Sequence, residues 1–210
     1  FLETVLEHGV DGVLLCPAKE TPIGELEHLS HQIPIVQFVR SVPELDIDYV
    51  GYDNVGGTVR SIEHLIEHGH QRIAFIGGPI QSSAKQERVQ GYMSALEKHG
   101  FPLDETLIIH SPVSRSGGRD AVLNLLEVAD PPTAAICYND IIALGVMMGL
   151  QSTGRIPGKD FAVVGFDDIE DASSWIPRLT TISGDARTIG KVAVNRLLQR
   201  IKNPNLAPTR

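Results

Sequence analysis

Eight polar side chains stand directly after runs of apolar residues: Arg40, Asp53, Ser82, Ser83, Asn139, Asp140, Asp167 and Asp168. Carboxylates and amides exchange hydrogen bonds with vicinal hydroxyls, and a guanidinium adds a planar donor fork. Such a set can hold a neutral polyol with no bond made or broken. Asp53 and Asp140 also stand directly at the starts of helical stretches, where capping a helix is the simpler role. The adjacent carboxylates Asp167-Asp168 invite an acid–base reading. Neighbours at a strand end point apart, however, which argues against a shared proton.

Signatures of catalysis are missing. No G-x-G-x-x-G follows the first strand, and Gly77-Gly78-Pro79 has the wrong spacing for it. There is no Walker loop, H-E-x-x-H or G-x-S-x-G elbow. Ser82-x-x-Lys85 matches a short signature of penicillin-binding enzymes, but the companion motifs are absent. His64 and His68 have a spacing that could bind a metal. They fall on the polar side of their helix with no third ligand evident, so they read as a solvated face. No metal or cofactor is expected.

The elements that position the polar set alternate regularly. Strands are expected at Val10–Cys16, Pro34–Val39, Tyr49–Tyr52, Arg72–Ile76, Leu107–His110, Thr133–Tyr138 and Phe161–Phe166. Between them lie helical patterns. One follows Asp53-Asn54 with Val55, Val59, Ile62 and Ile66 on one face and ends near Gly69. Others cover about Lys85–His99, Gly117–Val128 and Asp140–Leu150. A last helix, about Asp185–Lys202, is expected to bury Ile189, Val192, Ala193, Leu197 and Ile201. Strands that are apolar throughout and separated by helices indicate parallel sheets covered on both faces. Ligands of such sheets collect at the carboxyl ends of the strands, where the polar set stands.

The chain of 210 residues, 42% hydrophobic, can bury a sizeable core. No run approaches the roughly 20 apolar residues of a membrane span. The opening Phe1-Leu2-Glu3-Thr4 has no basic n-region and reads as mid-helix. Lys plus Arg number 18 against 26 Asp plus Glu, a formal charge of −8 without a dense basic run. This argues against the segment itself gripping nucleic acid. Cys16 and Cys137 lie far apart with no C-x-x-C, in keeping with buried thiols in a reducing cytoplasm.

Three stretches stand out together. One runs from Tyr52-Asp53-Asn54-x-x-Gly57 through His64-Leu65-Ile66-x-x-Gly69-His70 to Ile73-Ala74-Phe75-Ile76-Gly77-Gly78-Pro79. The second is Arg88-x-x-Gly91-Tyr92-x-x-Ala95-Leu96. The third comprises Pro132-Thr133-Ala134, Asn139-Asp140-x-x-Ala143-Leu144-Gly145, Val163-Val164-Gly165-Phe166-Asp167-Asp168 and Pro177-x-Leu179-Thr180-Thr181-Ile182. In order and spacing, over nearly the whole chain, they resemble the LacI/GalR family of transcription regulators. The resemblance implies an α/β, two-lobed periplasmic-binding-protein-like fold, each lobe a doubly wound parallel sheet flanked by helices. Residues 1–52 plus 184–210 would form an incomplete N-terminal lobe and 53–180 the C-terminal lobe, with crossovers near 52–53 and 181–183.

By the same resemblance, Arg88 and Asp167 match the family's effector-binding arginine and aspartate. Asn139 matches a polar contact, and Ser82 lies in the loop that touches ligand. Val113 stands where an aromatic ring often stacks, Arg40 at a cleft position, and Cys16 where some members place a polar group. Gly184 replaces a contacting side chain. Helix Asp140–Leu150, with Ile142, Val146 and Met147, and the segment ending at the sole tryptophan, Trp175, resemble dimer surfaces. The implied function is the sensing core of a repressor. A sugar-like effector bound between two lobes would change operator affinity in a homo-oligomer whose N-terminal helix-turn-helix is absent from this chain. The alternative on the same fold is an extracytoplasmic sugar-binding protein of a transporter.

Overall fold

The computed structural model describes residues 2–18 and 21–209. The chain divides into two compact units, Phe1–Tyr52 with Ser82–Ala84 and Asp185–Arg210, and Asp53–Gln81 with Lys85–Gly184. No helix among the described residues is long and apolar enough to cross a membrane.

The second unit carries a five-stranded, fully parallel sheet. Its strands are β4 (Ile73–Ile76), β5 (Ile108–Ile109), β6 (Ala134–Cys137), β7 (Ala162–Phe166) and β8 (Thr180–Ile182), in the spatial order β5-β4-β6-β7-β8. Successive strand residues face opposite sides, and the apolar runs supply both faces. Ile73 and Phe75 of β4, with Ala134 and Ile136 of β6, join a core with helices α3 (Asn54–Glu67) and α4 (Ser83–Lys98). Ala74 and Ile76, with Ala135 and Cys137, join the opposite core with α5 (Arg115–Leu125), α6 (Asp140–Ser152) and the short α7 (Glu170–Ser174). Strand order reverses about β4, so the connections leaving the carboxyl ends of β4 and β6 diverge and leave a crevice between them.

Helices α5 and α6 touch because glycine permits it. A Cβ on Gly145 would lie 2.1 Å from the Arg115 carbonyl oxygen. Gly145→Ala therefore forces α5 away and should cost about 1–3 kcal/mol, the usual price of overpacking. A lowered denaturant midpoint with an unchanged slope would report it.

The first unit has a three-stranded parallel sheet, β1 (Val13–Leu15), β2 (Ile35–Phe38) and β3 (Asp48–Val50), in sequence order. Helix α1 (Leu2–Glu7) precedes it. Helix α2 (Ile23–Ser30) contributes Leu26 and Leu29 to a core with Ile35, Val42, Leu45 and Ile47. Helix α8 (Ala186–Lys202) packs against all three strands. Its burial is narrower than the sequence pattern predicts. Ala193 is fully buried and Ile189, Leu197 and Ile201 partly so, whereas Val192 is 46% exposed. The sheet is only three strands wide, and α8 meets it along the side carrying Ala193, Leu197 and Ile201.

Asp48 opens β3 and is 1% exposed. It accepts hydrogen bonds from Arg196 Nε at 2.7 Å, Arg200 Nε at 2.8 Å and the Thr209 amide at 2.9 Å. Burial pushes its carboxyl up, but the bonds from Arg196, Thr209 and Arg200 outweigh it and hold the group below its ordinary value.

Candidate functional site

Arg88 lies on α4, and burial obliges each of its donors to find a partner. Its Nε donates to Asn54 Oδ1 at 2.9 Å, and Nη1 donates to the Tyr138 carbonyl at the end of β6. Nη2 faces Asp167 Oδ1 at 3.7 Å. The guanidinium carbon sits 3.5 Å from the centroid of the Phe166 ring and 4.9 Å from that of Tyr138. Aromatic stacking and fixed hydrogen bonds thus lock the plane of the fork. The separation from Asp167 is longer than a direct hydrogen bond.

Asp167 follows β7 with φ of 111°, and Asp168 continues the turn with φ of 55°. These are conformations that side chains other than glycine avoid. Asp140 holds the turn in place. Fully buried at the start of α6, it accepts from the Ile169 amide at 2.9 Å and from Thr181 Oγ1 at 2.6 Å. Gly165 on β7 makes room for it, since a Cβ there would lie 2.1 Å from Asp140 Oδ1. Burial raises the Asp167 carboxyl to about 6; Arg88 pulls it down only in part, and Asp140 adds repulsion. Burial also raises Asp140, against the bonds from Thr181 and Ile169.

Arg88 and Asp167, each expected as an effector contact, face one another here. Asn139 directly follows Tyr138, but its Oδ1 caps α6 by accepting from the Ile142 amide at 3.1 Å. Asn139 rather than Asp140 is therefore the cap, and Asp140 braces the Asp167 turn instead. Asp53 does cap α3, through the Gly56 amide at 2.8 Å. Val113 is exposed in the loop after β5. In the first unit, Arg40 and Cys16 follow neighbouring strands and meet, Nη2 to Sγ at 3.3 Å. Ser82 is buried and falls with the first unit.

Three residues expected at a dimer surface stand elsewhere. Ile142, Val146 and Met147 are 0, 0 and 2% exposed and build the core between α6, α5 and the sheet. A side chain already buried in its own chain has no surface to give a partner. On α6 the exposed apolar residue is Met148. Trp175 is partly buried against the same core, with the Arg115 guanidinium 5.6 Å from its ring.

Sequence reasoning missed Asn54, Tyr138 and Phe166 as supports of Arg88. Each belongs to a strand end or helix start already singled out, but only the fold shows that all three converge on one guanidinium.

Residues 1–209 match the family described as periplasmic binding proteins and sugar binding domain of the LacI family. The ribose operon repressor of Haemophilus influenzae is 36% identical over 205 residues, 97% of this chain and 61% of that protein. Among solved structures, the transcriptional regulator CelR in complex with cellobiose superposes with a TM-score of 0.91 at 33% identity, covering 100% of this chain and 64% of that one. A LacI-family regulator from Enterococcus faecium with bound ribose gives 0.87 at 28% identity, over 97% of this chain and 76% of the other. The chain spans about three-fifths of the length of the curated relatives it matches, 61% and 60% in two of them. With the family match running the length of the sequence, and both sheets parallel and helix-covered as that fold requires, the chain belongs to the family of periplasmic binding proteins and LacI-type sugar-binding domains.

Proposed function

We propose that this chain is the effector-sensing part of a DNA-binding transcriptional repressor, and that its effector is a sugar or sugar derivative. The observation that carries the reading is the Arg88–Asp167 pair. A stacked, immobilised guanidinium faces a partly exposed carboxylate across 3.7 Å at the carboxyl end of a parallel sheet. Donor and acceptor so placed suit vicinal hydroxyls. The relatives' own names, a ribose operon repressor and regulators bound to ribose and to cellobiose, support the same chemistry.

The site binds rather than catalyses, because none of its groups is presented as a nucleophile beside a base. The effector prefers one conformation of the protein and thereby shifts operator affinity, as linkage requires. The active form is a cytoplasmic homodimer carrying DNA-binding heads, with Trp175 and the exposed face of α6 at the contact. Asn139 and Val113, of the same unit as Arg88 and Asp167, complete the effector contacts there.

A thermal-shift screen of the full-length protein against pentoses, hexoses and disaccharides tests the reading. A ligand at a thousand times its Kd adds about 4 kcal/mol, and each kcal/mol raises Tm by roughly 2–4 °C for a chain of this size. Absence of a shift from any sugar, or of a sugar effect on operator retention in a gel, would overturn it.

The raised Asp167 carboxyl sets a pH dependence. The ionised form accepts two hydroxyls, and protonation removes one acceptor. Sugar affinity should therefore hold above pH 7 and weaken as pH falls through about 6. Calorimetric titration between pH 5 and 8 reads this, and a flat profile would refute it.

A further inference from the structure

One turn before Arg88 on α4, Lys85 is 3% exposed. Its ammonium donates to the Gly78 carbonyl at the end of β4, at 3.2 Å, and to Nδ1 of His110 at 2.6 Å. Both partners are neutral. Among the described residues Lys85 makes no ion pair, whereas Arg88 has Asp167. A buried cation with neutral partners is costly to hold charged, and burial accordingly pushes the Lys85 amine down.

An ammonium can only donate, so Nδ1 of His110 must accept, and the neutral ring carries its proton on Nε2. His110 is exposed directly after β5, so Nε2–H is a donor held ready at the surface. Ser111 is the next residue; its Oγ is 3.0 Å from where a Cβ on Gly77 would be and donates only a long bond, 3.5 Å, to the Pro112 carbonyl. The carboxyl end of the sheet is thereby polarised. Lys85, His110 and Ser111 gather at β5 and β4, Arg88 is central, and Asp167 and Asp140 stand at β7 and β6.

We propose that the effector is an anionic sugar derivative, a phosphate monoester or a sugar carboxylate. Its charged end lies over His110 and Ser111 with Lys85 beneath, and its hydroxyls reach toward Asp167. This rests on the sugar-sensing reading above. The anion supplies the counter-charge that Lys85 lacks and accepts from His110 Nε2–H and the Ser111 hydroxyl. A neutral sugar would leave this corner with its charge uncompensated.

Calorimetric titration of the full-length protein with ribose, ribose 5-phosphate and ribonate, and with glucose, glucose 6-phosphate and gluconate, tests the proposal. One anion should bind at least tenfold more tightly than its parent sugar, and which anion does so separates phosphate from carboxylate. In Lys85→Met that ratio should fall to within threefold of one. His110→Gln, whose amide oxygen can still accept from Lys85 and whose fold a thermal melt checks, should lower it at least threefold. A parent sugar that binds as tightly as its anions, with a ratio unmoved by either variant, overturns this proposal and leaves the sugar-sensing reading standing. Failure of all six to bind overturns both.

Discussion

Asp167→Asn should weaken sugar binding by roughly 100-fold while leaving Tm unchanged or higher. A hydrogen bond to a charged group contributes about 1.5–3 kcal/mol, which is a factor of roughly 10–100 or slightly more in Kd. Asparagine is the right probe because φ at this position is 111°, a region it tolerates better than alanine does. The stability half of the expectation follows from linkage. The folded carboxyl sits near 6, above its unfolded value of 3.8. The unfolded state therefore releases its proton first as pH rises. The carboxylate burdens the fold above about pH 6, and that burden disappears below the unfolded value. Removing the charge relieves the fold at neutral pH and deprives the site of its acceptor. Calorimetry and thermal melts on one preparation separate the two effects. Equal loss of both would mean that Asp167 serves the fold and not the ligand.

The second large effect lies far from the site. Asp48→Ala should destabilise the protein by about 3–5 kcal/mol, the usual cost of stripping one partner from a buried ionic cluster. It leaves Arg196 and Arg200 facing each other and frees the Thr209 amide. Replacing both arginines by methionine in the Asp48→Ala background should recover part of the loss, because the orphaned charges are then gone. Chemical denaturation measures both steps. The pH dependence has the opposite sign to that of Asp167. Here the folded carboxyl is depressed, so its contribution is complete above the unfolded value of 3.8 and fades as pH falls toward the lower folded value. An Asp48→Ala protein as stable as the parent would show that the cluster is dispensable.

What the sequence reveals, and what it hides, follows from the range of the interactions. Every strand of the two sheets was legible except β8, because alternate residues of an apolar run must serve both faces of a covered sheet. Motif position singles out Arg88 and Asp167 as expected effector contacts. The stacking of Arg88 on Phe166 has no such signal, since nothing in residue spacing says which ring a side chain 78 positions away will meet. Asn139 caps α6 in place of Asp140 because either can cap, and only the proximity of Thr181 and Ile169 draws the Asp140 carboxylate inward. The inward side of α6, with Ile142, Val146 and Met147, is hidden for a related reason. The helix is apolar nearly all round, so composition does not say which side packs in its own chain. The Asp48 cluster left no local signal at all. Arg196 and Arg200 show the spacing of one helix face, but the acid between them comes from β3.

That cluster also bears on how the protein is made. The partners of Asp48 are 148, 152 and 161 positions downstream. At about 5–20 residues per second, β3 leaves the ribosome on the order of ten seconds before its counter-ions are polymerised. In that interval Asp53–Gln81 and Lys85–Gly184 are complete and can close their own sheet. Strands β1 to β3 must wait, half-covered, for α8. A transcript broken just before α8 would then yield a chain with one finished half and one that can never neutralise its buried acid, a natural substrate for cellular quality control.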